Sequence, residues 1–286
     1  MLNREHNKCR LFLGISWNFI ESNIYKPAVD FTKTAILQYK IMIPMETYVM
    51  ITRDCITGYY YLATSFNSCQ QLLQYESLSD FVKGKINRKI VLEDAFDGWY
   101  VGVKNGYLYF NLSGTNKIAA ANLSTGKTIG VCEVAYATCR NGPGTFSHRG
   151  YTDIAILCDE RTEKIYVAYE TQEPEFKLSE ITGGPKDLKI INTWNFKNER
   201  KEYYAFAFIY DSIMYLGSSH KQLMIDKQFD LREGLVFNEE LLKFRTKNTV
   251  DIHLMQLFAE DGVLICCMSD PFRIVVLNID ANYEVY

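Results

Sequence analysis

One pattern constrains this chain more than any other: a short run of aromatic and aliphatic residues returns at a nearly constant distance. The runs are GYYYLA from Gly58, GYLYF from Gly106, KIYVA from Lys164, SIMYL from Ser212 and GVLICC from Gly262, with successive starts 48, 58, 48 and 50 residues apart. Each run suits a strand and is too short for a helix that must bury one face. A period of this length exceeds the needs of a single hairpin and suits a blade of four antiparallel strands, which takes ~40 to 50 residues. Five returns predict an all-β fold, a five-bladed β-propeller.

The clearest hairpin lies in GYTDIAILCDERTEKIYVAYE, Gly150 to Glu170, where two apolar runs flank the charged segment CDERTEK. A first strand precedes each later repeat core, at Tyr100–Val103, Thr152–Leu157, Ala205–Ile209 and His253–Phe258. Outer strands follow at Lys117–Leu123, Lys127–Val134, Leu223–Asp226, Gly234–Phe237 and Arg273–Asn278. Lys104-Asn105-Gly106, Thr125-Gly126 and Asp261-Gly262 supply residues that tolerate positive φ, as hairpin turns require. One segment departs from the pattern. QQLLQYESLSDFVKG, Gln70 to Gly84, spaces Leu72, Leu73, Leu78 and Phe81 in a partly helical way, which predicts a short helix or turn beneath the blades.

Composition agrees with a β-rich globular chain: 20 Tyr and 17 Phe stand against 6 Pro in 286 residues, 48% of them hydrophobic. The 31 basic and 34 acidic residues are dispersed, so nucleic acid is not an expected partner. Eight cysteines include no CxxC pair, which excludes a zinc ribbon; half lie in apolar runs and read as small buried hydrophobes, with disulfides open if the chain is secreted. No run approaches the ~20 apolar residues of a membrane span. LFLGISWNFI, Leu11 to Ile20, imitates a signal peptide, but no small-residue cleavage site follows, so it reads as a strand or buried anchor ahead of a targeting segment. Residues 1–44 are expected to be an N-terminal extension of uncertain fold and 45–286 the propeller.

Several segments, in order, resemble the olfactomedin-like domain family. LLQYESLSDFVKG, GWYVGVKNGYLYF, GYTDIAILCDE with IYVAYET, NTWNF, and AFAFIYDSIMYLGSS carry the resemblance, which runs from about Met45 to Ile279. It implies a five-bladed propeller of the extracellular matrix or cell surface, secreted and without catalytic activity. Many members hold calcium in the central channel, and the matching positions here read Ala155, Phe206 with Ala207, and approximately Gln256 with Leu257. Calcium takes six to eight oxygen ligands, usually with carboxylates among them. Ala155, Phe206 and Leu257 cannot supply side-chain oxygens, so the channel is expected to be metal-free and apolar, and no cofactor is expected. The family's usual disulfide also lacks its second cysteine, because Asp211 stands there; closure falls either to strand pairing alone or to another pair of cysteines.

The remaining motifs have bland readings. STGKT, Ser124 to Thr128, looks like the end of a phosphate loop, but Ala121 replaces the required glycine and the segment joins two strands; it reads as a hairpin turn. His6, His148, His220 and His253 are too scattered for a local metal box. The acidic pairs Asp159-Glu160 and Glu260-Asp261 fall at equivalent repeat positions and read as solvated turn residues, not as a general acid and base. Asp153, beside the channel and before an apolar run, is expected to cap a strand or tie blades together. Asn111-Leu-Ser113 and Asn122-Leu-Ser124 are N-glycosylation sequons at strand ends. Gly142-Pro143-Gly144 opens a long connection in which His148 and Arg149 are candidate partner contacts.

Two functions compete on these residues. One is an extracellular interaction module that binds an extracellular or cell-surface protein, or a glycan, through loops on a propeller face, in adhesion, matrix organisation or signalling. The other is a glycan-processing hydrolase, since propellers also carry carboxylates and arginines around their channels. The channel-facing candidates Ile154, Ile156, Phe206, Phe208 and Leu257 offer only Asp153 as an acid, which favours the module. A third reading places a divergent copy inside the cell; occupied glycans at Asn111 or Asn122, or free thiols, separate it from the first.

Overall fold

The computed structural model describes residues 16–17, 35–42, 49–64, 69–137, 154–171, 175–196, 206–218, 223–237, 242–245, 252–269 and 272–278. The chain is all-β, built from consecutive antiparallel meanders. Two strands come first, β1 (Ser16–Trp17) and β2 (Ala35–Met42). The first meander runs β3 (Val49–Arg53), β4 (Tyr60–Thr64), β5 (Cys69–Tyr75), a helix α1 (Leu78–Val82), and β6 (Arg88–Lys104). β6 serves two units. Its first half pairs with β5, and a register shift between Asp97 and Gly102 lets its second half pair with β7 (Tyr107–Leu112). β8 (Lys117–Asn122) and β9 (Lys127–Glu133) complete that second meander.

The third meander is β10 (Ile154–Asp159), β11 (Lys164–Glu170), β12 (Phe176–Thr182) and β13 (Lys189–Phe196). The fourth is β14 (Phe206–Tyr210), β15 (Ile213–Ser218) and β16 (Leu223–Asp230); β17 (Leu235–Phe237) and β18 (Leu242–Arg245) both pair with β16, and β1 pairs with β18. The last is β19 (Ile252–Phe258), β20 (Val263–Ser269) and β21 (Phe272–Asn278), to which β2 adds a fourth strand. Part of the segment expected as an extension, Ala35–Met42, therefore belongs to a sheet. First strands are neighbours: β3 lies beside β6, β6 beside β10, β10 beside β14, β14 beside β19, and β19 beside β3.

Burial explains why the repeats were visible as apolar runs. All of Phe206–Tyr210 is buried, as are the four central residues of β7 and of β8, whereas β9 and β13 are largely open to solvent. Strands buried on both faces lose the alternation of half-exposed ones and read as continuous hydrophobic stretches. Side chains bind the third meander to the fourth: Phe196, packed on Phe176 of its own meander at 5.2 Å, meets Phe229 at 4.3 Å between ring centroids, and Trp194 Nε1 donates to Leu231 O at 3.1 Å.

The short helix expected within Gln70 to Gly84 is present, but it covers only Leu78–Val82. Gln70 to Tyr75 lie in β5, where adjacent Leu72 and Leu73 face two different apolar clusters, the two-residue alternation of a strand. Helix begins only at Leu78, after Ser77, whose Oγ accepts Asp80 N–H at 3.1 Å as an N-cap. Its Phe81 is 1% exposed and packs at 5.2 Å against Tyr75.

Candidate functional site

Acidic residues at the ends of first strands organise the turns that follow. Asp54, directly after β3, is buried; its carboxylate accepts N–H groups from Asn105 and Gly106 at 2.8 Å each, in the β6–β7 turn of the next meander. Asp159, at the end of β10, does the same for Asp211 at 2.9 Å and Ser212 at 2.7 Å in the β14–β15 turn. Parallel bridges accompany both ties, Asp54 to Val103 and Asp159 to Ile209. The two turns differ. Asn105-Gly106 adopts positive φ with residues suited to it, but Asp211 and Ser212 stand at φ 50° and 60°, where L side chains are strained.

Beside these ties, side chains from three meanders converge on Arg53, the residue before Asp54, which is 8% exposed. Its Nη2 meets Glu260 Oε2 at 2.7 Å, its Nε lies 3.0 Å from Asp261 Oδ2, and its Nη1 lies 3.5 Å from Glu160 Oε1. Tyr60 donates its hydroxyl hydrogen to Asp261. Burial alone would lower the guanidinium pKa, but the Glu260 hydrogen bond and the charges of Glu160, Asp261 and Glu260 hold it above its ordinary value. Burial, then the bond to Asp261, pushes the Tyr60 phenol well up, so it stays neutral. Cys55 is pushed up to about 11 by burial and then by Asp54, which keeps it a thiol at neutral pH.

This cluster corrects the reading of the acidic pairs as solvated. Asp159 is fully buried and the Glu160 side chain is 6% exposed; Asp261 is one-third exposed and Glu260 largely exposed. Arg53 itself was absent from the sequence reading. The available signal was the charged pair at the ends of three first strands, Arg53-Asp54, Asp159-Glu160 and Glu260-Asp261, which come together once the strands become neighbours. The cluster is sealed at Glu160 and open to solvent at Glu260 and Asp261. Its carboxylates already face the arginine, and the phenol nearest them is 1% exposed and disinclined to ionise.

Ala155, Phe206 and Leu257 lie together in the largest apolar cluster, each 5% exposed or less. Tyr100 Oη accepts Ala207 N–H at 3.4 Å within the same cluster. A calcium ion does not fit these three positions, which bring methyl, phenyl and isobutyl groups where hard oxygens are needed. Asp153, His148 and Arg149 lie outside the described residues. Asp211, standing at the family's missing cysteine, sits in the strained turn held by Asp159; Cys55, Cys132 and Cys158 are free thiols.

The two sequons are unequal. Asn111 is fully buried and donates Nδ2 to Thr115 O at 3.0 Å and Lys117 O at 2.9 Å, so the expectation of a projecting glycan there meets a filled site. Asn122 is half-buried at the start of the β8–β9 turn. That turn includes the STGKT segment and is a hairpin turn, as expected. Gly126 has φ 73°, and an added Cβ would sit 2.0 Å from Val91 O, so this glycine serves a close approach to the preceding meander.

The olfactomedin-like domain model matches residues 50–257. The chain belongs to the olfactomedin-like domain family. Curated relatives include myocilin of Oryctolagus cuniculus, 27% identical over 200 residues, covering 68% of this chain and 40% of the relative. Human myocilin is 25% identical over 201 residues, covering 68% and 39%. The chain thus spans about two-fifths of the length of these relatives. Among solved structures, the Cps50 (Swd1) beta-propeller domain of Myceliophteria thermophila superposes with a TM-score of 0.43 at 8% identity, covering 81% of this chain and 83% of that one. BamB from Moraxella catarrhalis gives 0.37 at 10% identity, covering 79% and 56%. Scores this low lend no weight to the fold. No helix among the described residues is long and apolar enough to cross a membrane.

Proposed function

We propose that this chain is a five-bladed β-propeller acting as a non-catalytic extracellular protein-interaction module, in cell adhesion, matrix organisation or signalling. The family match over residues 50–257 carries the reading. The blade count draws support from the five meanders and from first strands that neighbour one another in sequence order, with β19 returning to β3. On this reading β2 closes the last blade with a strand from the N-terminal side, so the extension proper precedes Ala35.

Two features support a scaffold over a hydrolase. The interior around Ala155, Phe206 and Leu257 is apolar, and the three carboxylates that gather about Arg53 are each engaged by it. Oxocarbenium-like transition states need one carboxylic acid free to donate and one carboxylate free to stabilise charge. Partner contact falls to loops on a propeller face, including His148 and Arg149. The partner is an extracellular or cell-surface protein, with glycan as the second class. The secreted full chain, applied to intact cells and to matrix, tests this. Saturable binding lost after mild protease treatment of those surfaces is expected; binding only to intracellular material, or release of sugar from glycans, overturns it.

A further inference from the structure

Two Asn-Leu-Ser sequons stand eleven residues apart, and the fold treats their asparagines differently. We propose that Asn122 is an N-glycan acceptor of this protein and that Asn111 is a structural amide that carries none. The proposal rests on the extracellular reading, because only a chain in the secretory pathway meets the glycosyl donor.

Asn111 is 0% exposed, and its Nδ2 uses both hydrogens on backbone carbonyls that close the β7–β8 turn. Attaching a sugar replaces one of those hydrogens and places a large polar group in a sealed interior, which the folded sheet cannot accommodate. At Asn122 the polarity of the turn is reversed. Its Oδ1 accepts the Ser124 N–H at 2.8 Å and the Ser124 hydroxyl at 2.5 Å, so the protein engages the amide oxygen and leaves the nitrogen unclaimed. Leu123, between them, is 3% exposed and bonded through its N–H to Gly106 O at 3.0 Å. The middle residue anchors inward while Ser124 and Thr125 are exposed, giving a glycan an open exit.

The chemistry is a nucleophilic substitution. Asn122 Nδ2 forms a bond to the anomeric carbon of a glycan carried on a lipid diphosphate, and the anomeric C–O bond breaks. The diphosphate leaves with the bonding electrons, and one amide proton passes to a base of the transferring enzyme.

The test expresses the full chain behind an added secretion leader in mammalian cells and maps the secreted protein by mass spectrometry, before and after amidase removal of Asn-linked glycan. Ser113→Ala and Ser124→Ala each abolish one sequon without altering its asparagine, and Asn122→Gln removes the acceptor itself. The expected result is glycan on the Asn122 peptide in the parent and in Ser113→Ala, and none in Ser124→Ala or Asn122→Gln. Glycan on Asn111 of secreted protein, or an unmodified Asn122 in the parent, overturns the proposal. The chain from its native source is mapped alongside. If that chain is intracellular and unmodified while the leader-directed one carries glycan at Asn122, the extracellular reading fails and the acceptor assignment stands.

Discussion

Replacing Asp159 by Asn separates the work of its carboxylate from its shape. The wild-type Oδ1 accepts N–H groups from Arg161 at 3.0 Å and Asp211 at 2.9 Å, and Oδ2 accepts Ser212 N–H at 2.7 Å and the Thr162 hydroxyl at 2.7 Å. An amide offers one acceptor, so in either orientation its NH2 faces at least one backbone N–H. The less costly orientation turns NH2 toward Ser212, where the Thr162 hydroxyl can rotate to accept but the Ser212 N–H is stranded. A lost charge-assisted bond is worth about 1.5–3 kcal/mol. The turn so released holds Asp211 and Ser212 at positive φ, and its relaxation returns part of a strain of roughly 1–2 kcal/mol per residue, which offsets the lost bond. Asp159→Asn should therefore destabilise the chain by about 1–2 kcal/mol, less than the bare loss of the bond. Asp54→Asn, whose partner turn Asn105-Gly106 stores no such strain, should cost more, about 1.5–3 kcal/mol. Urea unfolding followed by tryptophan fluorescence measures both, and amide exchange at Asp211 and Ser212 should quicken in the first variant alone. Unchanged exchange at Asp211 and Ser212, or a larger loss in Asp159→Asn than in Asp54→Asn, would refute the argument that the carboxylate enforces the turn.

Three further outcomes follow from the same geometry. Arg53→Met removes the guanidinium from the buried Glu160 and should cost about 3–5 kcal/mol in urea unfolding, whereas Glu260→Gln, at a 59% exposed carboxylate, should cost roughly 0–1. Alkaline stability should decline early. Cys55 is raised from 9.0 to about 11, and Tyr61 from 10.0 to about 12, both first by burial, so the unfolded chain releases their protons before the folded one does. Their stabilisation is complete below pH 9 and is lost as pH rises toward 12, which a series of urea midpoints across that range would record as a continuous fall. Gly126→Ala should lower the thermal midpoint more than Gly114→Ala: both glycines have positive φ, but only at Gly126 does the new Cβ strike backbone.

The sequence revealed the strands whose both faces are buried, because burial on two sides leaves an uninterrupted apolar run, as in IAILC before Asp159 and FAFIY at Phe206. Turns with Asn105-Gly106 or Gly126 were equally legible, since those residues reach positive φ without help. The Asp211-Ser212 turn carried no such mark, because its conformation is imposed by a carboxylate 52 residues earlier. Arg53 and Glu260 are separated by 207 residues, so nothing local couples them. The acidic pairs looked solvated because charged turn residues usually are; here neighbouring first strands bring an arginine to them. Leu72 and Leu73 misled for the opposite reason, since adjacent leucines serve a helix face or the two sides of a strand, and only the second cluster beneath β5 decides between them.

Proximity labelling tests the central claim most directly, with the full chain fused to a labelling enzyme and expressed in its native source. An olfactomedin-type interaction module outside the cell should enrich a small set of extracellular or cell-surface proteins, with enrichment reduced when His148 and Arg149 are replaced by alanine. Enrichment of cytosolic proteins, unchanged by that replacement, would contradict the account.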